Sequence, residues 1–90
     1  MKYALGQLVT TTTDTATTSV DTIWMITKLD RDNVCYEIES QDDDCFFAMD
    51  HNLVELPLDR FISAIQNREL ISEKFIKSFL KPTNIRTNAL

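Results

Sequence analysis

Asn33-Val34-Cys35-Tyr36-Glu37-Ile38-Glu39 is the stretch that decides the fold. Val34, Tyr36 and Ile38 alternate with Cys35, Glu37 and Glu39, and a period of two is the signature of a strand with one covered and one wet face. On its N-terminal side Asp30-Arg31-Asp32-Asn33 reads as a turn, because Asp and Asn satisfy turn backbone groups with their own side chains. Residues 21–29 before it read as a strand, with Trp24 and Ile26 on one face and Ile23 and Met25 on the other. That pattern predicts cover on both faces. On the C-terminal side residues 40–44 form the next turn, residues 45–49 return with Phe46 and Phe47 on opposite faces, and a short strand runs over 53–56. Residues 7–11, just after the only glycine, Gly6, read as the first strand. Residues 10–19 are nearly all Thr, Ser and Ala, broken by Asp14. Threonine favours strands but this tract has no apolar face, so it reads as a mobile polar loop or a frayed hairpin tip.

After residue 56 the period changes. Pro57 suits a first helical position, where its missing N–H is not needed. Leu58, Phe61, Ile62 and Ile65 fall on one apolar stripe. Residues 67–71 interrupt it. Ser72 is placed to cap a second helix with Glu73 in its first turn, Lys77 and Lys81 toward its end and Pro82 beyond. Phe75, Ile76, Phe79 and Leu80 make its apolar face. One long helix over 58–81 also keeps Ile76, Phe79 and Leu80 in phase, but Glu69 and Ser72 break that stripe and favour two helices. Strands first and helices after give an α+β chain. Four or five closely spaced antiparallel strands curl naturally into a small, partly open β-barrel.

The 90 residues suit one domain, divided into a β-rich barrel over 1–56, a helical segment over 57–81 and a frayed tail over 82–90. The 43% apolar and 26% charged composition argues for a folded chain. No apolar run is long enough to span a bilayer, and the N-terminus lacks the apolar stretch of a secretory signal, so the expected compartment is the cytoplasm. There Cys35 and Cys45 are expected to be reduced thiols, although their spacing across a hairpin leaves a bridge geometrically open.

Charge is strongly segregated. Residues 30–55 carry nine acids against one base, Arg31, whereas residues 56–90 carry six bases against three acids. The acids do not make a calcium loop: counting from Asp42 the sixth and twelfth positions are Phe47 and Leu53, and from Asp30 they are Cys35 and Gln41. Such a loop requires a glycine at its sixth position and a bidentate Glu at its twelfth. Zinc would need an unusual set such as Cys35, Cys45, Asp50 and His51, without C-x-x-C spacing. His51 is the only histidine and no serine lies in a nucleophile motif. A single glycine excludes a Gly-rich phosphate loop. No catalytic residue, metal ligand or cofactor is therefore assigned, and the chain is read as a non-enzyme.

Gly6-x-x-Val9, Trp24-x-Ile26, Tyr36-x-Ile38, Phe46-Phe47 followed by Leu53, and Leu56-Pro57-Leu58-x-x-Phe61-Ile62-x-x-Ile65 together resemble small SH3-like barrel proteins of phage or mobile-element type with appended helices. The resemblance covers about residues 5–70, implies a binding module and carries over no functional residue. The residues themselves nominate two binding surfaces. One is acidic, formed by Glu37, Glu39, Asp42, Asp43 and Asp44; the other is a basic helix face of Lys74, Lys77 and Lys81. The expected function is an acidic protein-interaction module, a phage or mobile-element regulator or inhibitor docking on a basic surface of a larger host protein. A homodimer pairing the acidic sheet of one chain with the basic helix of another fits the same charges. The alternative is a DNA mimic that inhibits a DNA-binding or restriction protein. Glu37 and Glu39 are spaced by two strand residues, roughly 6–7 Å, close to an intrastrand phosphate spacing. Direct nucleic-acid binding and membrane association are not expected from so few bases and no apolar span.

Overall fold

The computed structural model describes residues 1–15, 19–67 and 72–80. Five strands are followed by two helices: β1 (Leu8–Thr11), β2 (Trp24–Asp30), β3 (Cys35–Ser40), β4 (Cys45–Ala48), a single 3-10 turn (Asp50–Asn52), β5 (Leu53–Glu55), α1 (Leu58–Gln66) and α2 (Glu73–Phe79). All pairings are antiparallel, in the order β4-β3-β2-β1-β5. The α+β class and the two separate helices agree with the sequence reading. The sheet, however, is open: β4 and β5 are its edges and do not pair with each other. The expected mobile loop falls partly on residues 16–18, and the frayed tail on 82–90, which lie outside the described residues.

Both sides of β2 are covered, as its two apolar faces require. On one face Val9, Trp24, Ile26, Tyr36, Ile38, Ala48 and Leu53 pack with Tyr3 in a cluster drawing on all five strands. The two edge strands share that cluster only because the sheet curls. On the other face Leu8, Ile23 and Met25 pack with Leu56 and with Phe61, Phe75 and Phe79 of the helices. A strict alternation through Trp24-Met25-Ile26-Thr27-Lys28-Leu29 would drive Lys28 into the first core. A register shift between Ile26 and Lys28 prevents it. The bulged Thr27 donates from its hydroxyl to the Glu37 carbonyl at 3.2 Å, Lys28 turns outward opposite Glu37, and Leu29 turns inward.

Three local expectations are corrected. Val34 is not part of the central strand; it ends the preceding turn at φ 53° and is 58% exposed. A β-branched residue is disfavoured in that left-handed region, and the turn holds it there because Asp30 is already fixed by accepting from Asn33 at both carboxylate oxygens. Pro57 is the residue flanking α1 rather than its first member, with extended ψ of 145°, and its carbonyl accepts the first helical bond from Phe61. The α1 stripe is only partly buried. Phe61 and Ala64 face the core, while Leu58, Ile62 and Ile65 remain largely exposed. The helix touches the body along one narrow line, set by Phe61 stacking on Phe79 with centroids 4.0 Å apart. On α2 likewise Phe75 and Phe79 are buried but Leu80 is exposed.

The docking of α2 is specified by polar contacts at both ends. Ser72 caps it, its hydroxyl accepting from the Phe75 N–H at 3.3 Å, and the Ser72 N–H donates to the Gln41 side chain in the β3–β4 turn. Near the other end the buried Ser78 hydroxyl donates to the Gly6 carbonyl. Gly6 has φ 80°, and its N–H donates to Ile26 at 2.8 Å. The one glycine thus sits where a side chain would oppose the backbone geometry.

Residues before β1 are tied down by a polar knot. The Tyr36 hydroxyl donates to Asp50 Oδ1 and accepts from the Tyr3 N–H at 2.9 Å, while the Lys2 N–H donates to the same carboxylate oxygen at 3.1 Å. Tyr3 in turn donates from its hydroxyl to the Leu53 carbonyl at 2.9 Å. Tyr36's hydrogen bond, then that of the Lys2 backbone, holds the Asp50 carboxyl below its ordinary value of 3.8. Burial, then the bond to Asp50, pushes the Tyr36 phenol up, so it stays a donor. A depressed carboxylate adds stability that is complete above the unfolded value and is lost as pH falls through the lowered folded one. Acid unfolding monitored by fluorescence is therefore expected to begin below about pH 4. Asp50→Asn is expected to flatten the acid limb, and an acid limb unchanged by that substitution refutes the assignment.

Candidate functional site

The β3–β4 hairpin concentrates the acidic residues nominated from the sequence. Glu37 and Glu39 lie on the outer face of β3, directly opposite Phe47 and Cys45 of β4. The turn between the strands is wound around the buried Ser40. Its hydroxyl accepts from the N–H groups of Asp42 and Asp44 at 3.2 and 3.3 Å, its N–H donates to the Asp44 carbonyl at 2.9 Å, and its carbonyl accepts from Asp43 at 3.2 Å. Asp43 takes the left-handed conformation, φ 66°, which Asp tolerates better than most residues. Backbone groups turn inward and all three turn residues are exposed to solvent.

The structure treats the acids unequally. Glu39 Oε1 is 3.5 Å from Lys74 Nζ of α2, and Lys28 stands opposite Glu37 in the strand register. Among the described residues Asp42, Asp43 and Asp44 make no ion pair. The basic helix face is likewise partly compensated in cis, because Lys77 pairs with Glu73 at 3.0 Å. Lys81 lies outside the described residues. The two oppositely charged surfaces therefore meet along the α2–β3 line instead of standing apart. Pairs of this kind contribute about 0–1 kcal/mol each, so the Lys74–Glu39 pair orients α2 more than it stabilises the fold.

At Cys45 lost hydration, then the carboxylates of Glu39, Glu37, Asp43 and Asp44, push the thiol's pKa up. That thiol is held in its protonated, weakly nucleophilic form. It also cannot reach Cys35. Cys45 pairs with Glu39, four strand positions away from Cys35, a separation of ~13 Å against the ~7 Å limit for a disulfide. The bridge left open by spacing is thus excluded by register. Among the described residues no three His, Cys, Asp or Glu side chains come together as a metal site, and His51 lies exposed in the 3-10 turn.

One residue with functional character was not nominated from the sequence. Phe47 is 71% exposed at the centre of the acidic face, while Phe46 beside it turns inward to meet Trp24 edge-on at 5.4 Å. The signal was present: two consecutive aromatics in a strand must point to opposite faces, so one of them needs a second core or a partner. The helices cover the outer face at Met25, which is opposite Glu39, but leave Phe47 bare.

Comparison with protein-family models, with curated proteins and with solved structures finds no match for the chain. No helix among the described residues is long and apolar enough to cross a membrane.

Proposed function

We propose that this protein is a small, non-catalytic interaction module that docks a basic surface of a larger protein against the outer face of its β3–β4 hairpin. The observation that carries this reading is Phe47, a bare aromatic opposite Glu37 and close to the acidic turn. Binding hot spots are typically a central aromatic anchor inside a ring of residues that exclude water, and surrounding carboxylates select a cationic partner and speed its approach. A sequential four-strand meander whose first strand takes the last strand on its free side, with a 3-10 turn before that last strand, supports the SH3-like description of the fold. With that likeness to phage and mobile-element modules, the proposed role is a cytoplasmic regulator or inhibitor acting on a host protein. The DNA-mimic alternative has less support. Duplex DNA presents one charge per ~1.7 Å of axis, whereas here Glu39 is paired with Lys74, Lys28 stands opposite Glu37 in the register, and the densest run of acids is the short turn of Asp42 to Asp44. The homodimer alternative asks for a sheet-to-helix charge match that the chain already makes within itself at that same pair.

Phe47→Ala and the triple change Asp42→Asn, Asp43→Asn, Asp44→Asn test the reading, using a partner captured from lysate and then purified. Phe47→Ala is expected to leave unfolding stability within about 0.5 kcal/mol and to weaken the complex by about 30-fold. The triple variant is expected to slow association and flatten its salt dependence. A well-folded Phe47→Ala protein with undiminished affinity removes this face from the account. A partner displaced competitively by duplex DNA instead supports mimicry.

A further inference from the structure

We propose that the free edge of β4 receives an extended segment of the partner, and that this segment carries basic side chains at alternate positions with apolar ones between them. The inference rests on the docking reading above and specifies its partner.

The edge is open and its backbone groups can be assigned. Among the described residues β4 pairs only with β3. Ser40 and Asp44 close the hairpin through the Ser40 N–H to Asp44 carbonyl bond of 2.9 Å, and hydrogen-bonded pairs alternate along an antiparallel ladder. Ile38 with Phe46 and Tyr36 with Ala48 are then the hydrogen-bonded pairs, whereas Glu39 with Cys45 and Glu37 with Phe47 are not. The N–H and C=O groups of Cys45 and Phe47 therefore point away from β3, and no described residue receives or supplies a bond to them. Proteins usually blunt such an edge with lysine, proline or a bulge. Cys45-Phe46-Phe47-Ala48 has none of these.

The two sides of this edge differ in chemistry. On the outer side lie Phe47, Glu37 and Glu39, with the acidic turn at their end. On the inner side a groove of about 340 Å³ opens beside β4, walled by Ile38, Phe46 and Ala48 and by Thr11, Thr13, Thr15 and Asn52, with Phe47 at the rim it shares with the outer side. The Thr11 hydroxyl on that wall is buried and makes no hydrogen bond with a described residue, an unspent polar group facing the apolar β3–β4 wall of the groove. A strand added antiparallel to β4 exchanges hydrogen bonds at Phe47, and the residue making that pair directs its side chain to the acidic side. Its two neighbours direct theirs into the groove. Charge also selects the occupant. A second copy added through its own β4 would place Phe47 and Cys45 at the seam, with the carboxylates of Glu37 and Glu39 one strand back on each side, and so gathers negative charge on one face with no base on β4 to offset it. A chain with lysine or arginine at every second position meets opposite charge on one side and, on the other, a groove whose near wall of Ile38, Phe46 and Ala48 is apolar.

The test uses the full-length protein and three capped hexapeptides: alternating Lys-Val, the same peptide N-methylated at its lysine backbone nitrogens, and alternating Glu-Val. The Lys-Val peptide is expected to bind and to slow amide exchange of Cys45 and Phe47 by about tenfold or more while Phe46 and Ala48 change little. N-methylation is expected to weaken binding at least about tenfold, since it removes the pairing donors and keeps the charges. Equal, salt-sensitive binding of the N-methylated peptide overturns strand addition and leaves docking on the acidic face standing. Equal binding of the Glu-Val peptide overturns the docking reading itself. Failure of Lys-Val to bind, or Cys45 and Phe47 protection that rises with protein concentration in the absence of peptide, overturns the assignment of a basic partner strand.

Discussion

Trp24→Ala is expected to lower the free energy of unfolding by about 3–5 kcal/mol, measured by urea denaturation. Trp24 is 2% exposed, meets Phe46 at an interplanar angle of 84°, and belongs to the cluster that gathers all five strands. Removing it leaves a cavity bounded by strand backbones that hydrogen bonding prevents from collapsing. For a chain of 90 residues the whole stability is about 5–13 kcal/mol, so the variant sits near the edge of folding. Trp24→Phe separates packing from polarity. The indole N–H is buried and has no hydrogen-bond partner among the described residues, and the loss of an unsatisfied donor offsets part of the lost volume. Trp24→Phe is therefore expected to cost clearly less than Trp24→Ala. A loss under about 1 kcal/mol for the alanine variant, the scale of an average substitution, means that Trp24 is not the centre of the sheet's core.

Phe79→Ala is expected to cost a similar 3–5 kcal/mol, but through the helical layer. Phe79 is buried and stacks on Phe61 with only 14° between the rings, within the cluster that also holds Leu8, Met25, Leu56 and Phe75. The helix it belongs to has seven residues, far fewer than the ~12–15 an isolated helix needs to persist in water. It is helical because it is packed. Loss of the Phe79 ring is expected to speed amide exchange throughout α2 and to raise binding of an apolar dye at the uncovered Met25 and Leu8 surface. Protection of α2 amides equal to the parent refutes the claim that packing alone maintains the helix. The same variant bears on the acidic face, because a detached α2 takes Lys74 away from Glu39.

Much of this architecture was legible residue by residue. The alternation of Tyr36 and Ile38 with Glu37 and Glu39 identified the central strand and its wet face. The double-sided pattern of Trp24, Met25 and Ile26 required two cores, and both are present. Ser72 followed by Glu73 marked the start of α2, and the hydroxyl does cap it. Val34 misled because it continues an apolar alternation that the turn geometry ends one residue later. The α1 stripe misled for a related reason. Periodicity shows which residues share a face, not how wide a contact that face makes, and only Phe61 and Ala64 of the helix reach the core.

The sequence by itself determined the α+β order of elements, the side of each strand that is wet and the placing of the acids at a hairpin. These are consequences of side-chain period and turn chemistry acting between near neighbours. Only the tertiary structure decided which strands are edges, that Lys28 turns outward at a bulge, that Cys35 and Cys45 stand apart, and that Lys74 is held against Glu39, far away in the chain. Those outcomes depend on pairing partners and helix packing distant in sequence, about which local patterning carries no information. Among the described residues they leave Glu37 and the three turn aspartates without an ion pair around the exposed Phe47, on an acidic surface that the charge count alone had made to look uniform.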